Sequence, residues 1–263
     1  MLGKLLKYDL RSMSKLLILL HIPVIFLAVA ARYAGVLRLY AFAKPEPIAI
    51  LTLVITITYL SFTGFFTQLY TAIYSYRKLF SREGYLTFTL PVKSSTQVLA
   101  KFLSGSIWVM INVFVVFAAM AFVIYTPPLY EDLTGEIARI IGPGSACAHF
   151  ILLLFLLSII GCFSNMSMAL GCISFGHCFR KHRVLTAIAC YAGLTMLLQI
   201  IGACAQVFTT FKNPSFYQAD LTFGEFLSLY TPLFYIILVS SVLIGIICYI
   251  FSCYVMKKRL NLD

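Results

Sequence analysis

The polar side chains that could do chemistry in this sequence mostly lie inside long apolar runs. Thr52, Thr56 and Thr63 recur at spacings that place them on one face of a helix. Hydroxyl and amide groups in such runs can line a mildly polar route through a membrane, or they can join helices by hydrogen bonds. Most are expected to be packing groups. The candidates for lining a pathway are Thr52, Thr56, Thr63, Asn112, Asn165 and Gln199.

The ionisable residues favour neither a metal site nor a catalytic centre. His177, Cys178 and His182 adjoin the basic run 180–183, which disfavours a bound cation. None of the 8 cysteines forms a CxxC pair. An enzyme in the membrane would need an acid–base or metal constellation within the spans, and none is visible. We therefore expect no enzymatic activity, no metal and no cofactor bound by this chain.

The sequence contains no obvious energy source for transport. The phosphate-binding pattern GxxxxGK[ST] is absent. Intramembrane carboxylates would indicate an ion-coupled transporter, but all 9 acidic residues fall in predicted loops or termini. Proton or sodium coupling is therefore disfavoured, and a separate partner is expected to supply the energy.

The elements that hold these groups must be membrane helices. Hydrophobic residues make up 61% of the 263 residues, charged residues only 11%, and the mean hydropathy is +0.96. A soluble domain carries roughly 25% charged residues. The net charge of +11 comes from short clusters between uncharged runs, so it indicates membrane topology and not nucleic acid.

Six segments are long enough to cross the hydrocarbon core. They predict an all-α polytopic membrane protein with a single transmembrane domain over 1–263 and no second domain. The basic run 180–183 makes the fourth connection tight, so the spans on either side are expected to form an antiparallel hairpin. The six predicted spans are about 16–35, 48–74, 98–125, 148–178, 184–208 and 232–256.

Charge asymmetry predicts the orientation of the chain. Most of the 20 Lys and Arg residues fall at the two ends and in the second and fourth connections. Six acidic residues lie on the opposite side, and they are Glu46, Glu131, Asp132, Glu136, Asp220 and Glu225. Cytoplasmic segments are rich in Lys and Arg, so both termini are expected to be cytoplasmic.

The cytoplasmic side carries two segments that are more than simple turns. Residues 1–15 predict an amphipathic interface helix, whose basic face can meet anionic headgroups. It is either an anchor or a helix that transmits movement from a partner. The connection 75–97 mixes apolar and charged residues, and Ser94 with Gln97 resembles a capping box that opens the third span. A structured connection without its own domain predicts docking of a partner protein.

The chain resembles the type-two ABC exporter permeases of Gram-positive bacteria. The resemblance rests on the opening Leu-Lys-Tyr-Asp at 6–9, on the six spans, and on the motif at 79–91. It implies a cytoplasmic coupling helix that docks on a separate ATPase, with Glu83 and Gly84 at the position of the family's acidic-glycine pair. The coupling residues implied in this way are Leu79, Phe80, Ser81, Arg82, Glu83, Gly84, Tyr85 and Leu86.

The resemblance also implies the assembly and the substrate. Two permease copies, a homodimer in the simplest case, would work in the bacterial plasma membrane with two ATPase subunits that hold ATP and Mg. The compact members that export amphipathic peptides, such as phenol-soluble modulins, are closest in length. The alternatives are an ABC permease for lipid or drug and an ATP-independent channel or transporter. No nucleic-acid partner is expected.

Overall fold

The computed structural model describes residues 1–33, 47–81, 84, 92–124, 146–179, 181–212 and 223–258. Every regular element in these ranges is an α-helix, and each contains an apolar stretch long enough to span a membrane, which confirms the all-α class and the six predicted spans. The helices are α1 Leu2–Tyr33, α2 Pro47–Phe80, α3 Ser94–Ile124, α4 Ala146–Gly176, α5 Arg183–Lys212 and α6 Phe223–Lys258.

The six helices pack as two groups of three. Helices α1, α2 and α3 contact one another, and so do α4, α5 and α6. The groups meet where α3 contacts α4 and α6, and where α2 contacts α4. Large apolar side chains remain exposed along every helix, as expected for a protein whose solvent is hydrocarbon.

The first helix differs from its prediction. Residues 2–15 are the opening turns of α1 and not a separate interface helix, because no glycine or proline interrupts the helix-forming residues between them and the span. The basic side chains of this part are exposed as predicted, but Asp9 and Met13 are buried. Its inner face therefore packs on protein.

The helix ends differ from the predicted boundaries by different amounts. Helix α3 begins at Ser94, where the Ser94–Gln97 pair predicts a start. Helix α6 begins at Phe223, well before the predicted start near 232, and carries Pro232 inside it. Between α4 and α5 only six residues intervene, and the two helices contact each other, so the predicted hairpin is present.

Serine and glycine residues bring α4 and α6 together along their length. The Ser164 hydroxyl donates to the Ser241 carbonyl at 2.6 Å, and the Ser174 and Ser252 hydroxyls lie 2.9 Å apart. A Cβ placed on Gly171 would lie 2.7 Å from the Cβ of Cys248. Small residues let helix backbones approach closely where hydrocarbon provides no hydrophobic force between helices. The α4–α6 seam is therefore a close approach between two helices of the second group.

Candidate functional site

Three predicted pathway residues point into the bundle. Thr56 and Thr63 are buried, and their hydroxyls donate to backbone carbonyls of their own helix at 2.7 and 2.8 Å. Asn112 is also buried, and its Oδ1 lies 3.1 Å from Nε2 of His21. The backbone carbonyl of Thr52 accepts the hydrogen bond from the Thr56 hydroxyl. Asn112 therefore joins α3 to α1, whereas these threonine bonds stay within α2.

The other two predicted residues lie on the outer surface. Asn165 on α4 and Gln199 on α5 are both exposed near the middle of their spans. The Tyr191 hydroxyl donates to the side-chain Oδ1 of Asn165 at 2.9 Å. Nε2 of Gln68 donates to the backbone carbonyl oxygen of Asn165 at 3.4 Å. Gln68 of α2 and Tyr191 of α5 therefore both contact Asn165.

A stripe of polar side chains continues this patch along α5. Tyr191, Thr195, Gln199 and Gln206 recur at helical spacing and share one face. Gln199 and Gln206 are exposed. We call the surface formed by Gln68, Asn165, Tyr191, Thr195, Gln199 and Gln206 the polar flank.

The polar flank is not suited to hydrocarbon. An amide without a hydrogen-bond partner in an apolar medium costs roughly 2–7 kcal/mol. Polar side chains in membrane helices generally face another helix or a water-filled cavity. The polar flank is therefore a surface that a second helix bundle or a hydrated route would cover.

A buried ion pair joins α1 to α3 within the first group of helices. Asp9 of α1 pairs with Lys101 of α3, and both side chains are less than a tenth exposed. The Tyr74 hydroxyl of α2 donates to Oδ1 of Asp9 at 2.9 Å, and the Lys101 Nζ lies 5.3 Å from the Tyr74 ring centroid. Asp9 Oδ2 is buried without a hydrogen-bond partner among the described residues. This cluster of Asp9, Tyr74 and Lys101 is the charged cluster.

The charged cluster was missed by the sequence analysis. The sequence pattern places Asp9 in a terminus outside the predicted spans. The argument against ion coupling depends on that placement. In the structure Asp9 lies within α1, where Lys101, Tyr74 and the apolar side chains around Met13 exclude water. The argument from acidic residues against ion coupling is therefore weaker than the sequence implied.

Three polar contacts align α1 with α3 as parallel neighbours. Asp9 meets Lys101, His21 meets Asn112, and Arg32 donates to the Phe122 carbonyl at 2.7 Å. The separation in sequence falls only from 92 to 91 to 90 residues along this series. A nearly constant separation means that the two helices run in the same direction with one register.

The predicted coupling segment begins inside the bundle. Leu79 and Phe80 end α2 and are buried among residues of α3, α4 and α6, including Val98 and Met256. Gly84 donates its backbone N–H to the Ser81 carbonyl at 2.7 Å.

Only a glycine fits at position 84. A Cβ there would lie 2.7 Å from the Leu79 carbonyl oxygen, so a side chain would push the segment away from the end of α2. Four further predicted coupling residues lie outside the described residues, and they are Arg82, Glu83, Tyr85 and Leu86.

His177 lies beside the start of this segment. Its ring stacks on Phe80 with centroids 4.4 Å apart. Burial, followed by the nearby Arg183 charge, lowers the pKa of His177 from 6.5 to about 4. The folded chain therefore holds a neutral imidazole at neutral pH.

The pKa of His177 predicts a loss of stability in acid. Below about pH 6.5 the unfolded chain gains a proton, which the folded chain gains only near pH 4. We expect the free energy of unfolding in detergent to fall across this interval and to be independent of His177 above it. His177→Gln should reduce the slope, whereas exposed Lys181→Gln should leave it unchanged. An equal slope in wild type and His177→Gln would contradict the assignment.

Among the described residues, the polar flank, the charged cluster and the start of the predicted coupling segment are the features from which a function can be argued. Within the described ranges, no group of three His, Cys, Asp or Glu side chains could hold a metal ion. Comparison with protein-family models, with curated proteins and with solved structures finds no match to this chain.

Proposed function

We propose that this chain is the permease subunit of an ATP-driven ABC exporter that works as a dimer. The observation that carries the proposal is the polar flank, which presents the side chains of Gln68, Asn165 and Gln199 on the outside of a single bundle at mid-span. A second copy facing this surface would enclose a polar cavity and would remove the cost of exposing amides to lipid. Each chain then supplies half of the pathway.

Energy comes from two ATPase subunits that bind ATP and Mg. Because Leu79 and Phe80 are embedded among α3, α4 and α6, a push on the segment 79–86 would reach the second group of helices directly. These two buried residues transmit the movement, while the rest of the segment contacts the ATPase. The cycle is alternating access between the two faces of the plasma membrane, with both termini cytoplasmic.

The proposed substrate is an amphipathic peptide. The polar flank offers hydrogen-bonding groups without formal charge, and Phe65 of α2 lies exposed one turn from Gln68. Such a surface suits a molecule with both polar and apolar sides better than it suits a bare ion, which needs charged or closely spaced carbonyl ligands. A lipid or drug substrate is the alternative within the same class.

Reconstitution with a candidate ABC ATPase from the same genome tests the proposal. We expect fluorescently labelled amphipathic peptide to accumulate in inverted vesicles only with Mg-ATP and the ATPase. Asn165→Leu and Gln199→Leu should lower transport about tenfold, which corresponds to about 1.4 kcal/mol, and should leave ATPase binding intact. Exposed Ile200→Leu on α5 is the control. Unchanged transport in the first two variants would remove the polar flank from the pathway.

A second experiment tests coupling separately. Deleting residues 81–91 should abolish co-purification of the ATPase, while the chain still elutes as a folded species. Replacing Lys181 with Gln in the tight α4–α5 connection, together with Arg183 at the start of α5, is the matched control, since this region is basic but has no predicted docking role. Normal ATPase assembly after the deletion would disprove the coupling assignment.

The charged cluster favours one other function, an ATP-independent transporter coupled to protons. A buried carboxylate with one unpartnered oxygen among the described residues could exchange a proton during transport. Liposomes that contain the chain alone and carry an imposed pH gradient distinguish the two functions. Uptake without the ATPase, lost in the double variant Asp9→Asn with Lys101→Met, would favour the proton-coupled transporter over the ABC permease.

A further inference from the structure

A groove of about 260 Å³ lies between α3, α4 and α6, on a part of the surface distinct from the polar flank. Three aromatic rings form one wall, with Phe102 centred 5.7 Å from Phe163 and 5.3 Å from Tyr249. Ile246 lines the groove and is 52% exposed. The groove therefore opens onto the outer surface within the membrane spans.

The serine residues in this groove do not make it polar. The Ser164 hydroxyl donates to the Ser241 carbonyl, and the Ser167 hydroxyl donates to the Gly245 carbonyl. Both hydroxyl donors therefore already have acceptors on α6, so the groove presents mainly carbon to an occupant. A volume of this size equals about nine waters, and apolar cavities stay dry and bind apolar molecules. Water is thus a poor occupant.

Two positive charges lie at one end of the helices that form the groove. Lys93 immediately precedes α3, Lys257 lies in the last turn of α6, and both are exposed. Along α6, Lys257 is about 12 Å from Tyr249 and about 18 Å from Gly245 at 1.5 Å per residue. Half of the hydrocarbon core is about 15 Å thick. An anionic headgroup at these lysines would therefore place the distal part of its acyl chain at the groove.

We propose that the groove binds one acyl chain of an anionic phospholipid whose headgroup lies against Lys93 and Lys257. The aromatic wall contacts the distal methylenes, and the two lysines select the charge of the headgroup. Bound lipid fills the space between α3 and the α4–α6 seam. The site is independent of the ATPase and of the transported substrate, so it stands apart from the proposed export function.

Photolabelling of the purified full chain in nanodiscs tests this site. The probe is a phosphatidylglycerol with a diazirine in the distal half of one acyl chain, present at trace level in phosphatidylcholine. We expect labelled peptides to map to the groove segments of α4 and α6. The matching phosphatidylcholine probe should label these segments about tenfold less, the difference expected for one or two lysine contacts at about 1 kcal/mol each.

Two neighbouring isoleucines provide matched variants. Ile246→Trp should fill the groove and lower its labelling about tenfold or more, because a few methylenes lose their burial. Ile247→Trp changes a 64% exposed residue that does not line the groove, and it should leave the labelling unchanged. Size-exclusion elution checks that both variants are folded.

Four outcomes would overturn the site. Even labelling of all exposed helix faces would indicate ordinary surrounding lipid only. Equal labelling in Ile246→Trp and Ile247→Trp would exclude the groove as the acyl site. Equal labelling by both probes, or no effect of Lys93→Gln with Lys257→Gln, would exclude selection of an anionic headgroup.

Discussion

Replacing Lys101 with methionine is expected to destabilise the chain by about 3–5 kcal/mol, the range measured when one partner of a buried ion pair is removed. Asp9 would then keep a carboxylate that is almost fully buried and has only the Tyr74 hydroxyl as a described partner. Asp9→Asn should have a large effect of the same sign, because it leaves the Lys101 ammonium buried without its counter-charge. SDS titration of the purified chain measures the free energy of unfolding.

The double variant Asp9→Asn with Lys101→Met distinguishes the pair from its parts. Removing both charges should recover most of the lost free energy of unfolding, since a neutral pair of similar volume leaves no charge to be buried without its partner. Lys4→Met and Lys7→Met, on the exposed face of α1, should change stability by less than about 0.5 kcal/mol. If Lys101→Met behaves like these surface variants, or if the double variant is as unstable as the sum of the singles, the ion pair does not hold α1 to α3.

The six helices could be predicted because the membrane leaves few alternatives. Every backbone group in hydrocarbon needs an internal partner, so an uncharged run of sufficient length must be a helix or part of a barrel. The start of α3 at Ser94 was also visible in the sequence. The early start of α6 at Phe223 was not, because Pro232 indicated a boundary that the helix tolerates.

The partners of each helix face could not be predicted from one sequence. Asp9 has an ordinary place in an amphipathic N-terminal pattern, and nothing local indicates that Lys101 faces it from a parallel helix. The partners of the threonine face of α2 could not be predicted for the same reason. The spacing of the threonines correctly predicts one face, but it does not tell whether that face meets water or, as found for Thr56 and Thr63, the neighbouring helices.

Only some residues of the polar flank could be predicted from the sequence. The pathway candidates predicted from the sequence include Asn165 and Gln199, but they do not include Gln68 or Tyr191. A signal for Tyr191 exists, since Tyr191, Thr195, Gln199 and Gln206 recur at helical spacing along a single span. No local signal assigns Gln68 to the same surface, because it lies on another helix. Its place depends on α2 and α5 both packing beside α4.

Gly171→Leu is expected to separate α4 from α6 and to destabilise the chain by about 3 kcal/mol, near the upper end of the usual cost of overpacking. A Cβ at this position would lie 2.7 Å from the Cβ of Cys248 and 3.1 Å from its Cα, so the obstacle includes backbone. A flexible side chain could move aside, but the backbone of α6 can yield only if the whole seam opens. The variant should unfold at lower SDS and should lose the close contacts of Ser167 with Gly245.

Gly161 on the same helix supplies the control for this prediction. A Cβ at Gly161 would meet no atom within 4 Å outside its own helix, so Gly161→Leu adds a side chain to open space. Both substitutions gain the same helix propensity, up to about 1 kcal/mol relative to glycine. The difference in unfolding free energy between the two variants therefore isolates the cost at the α4–α6 seam. Equal stabilities would mean that these helices are not held at the distance that their serines and glycines permit.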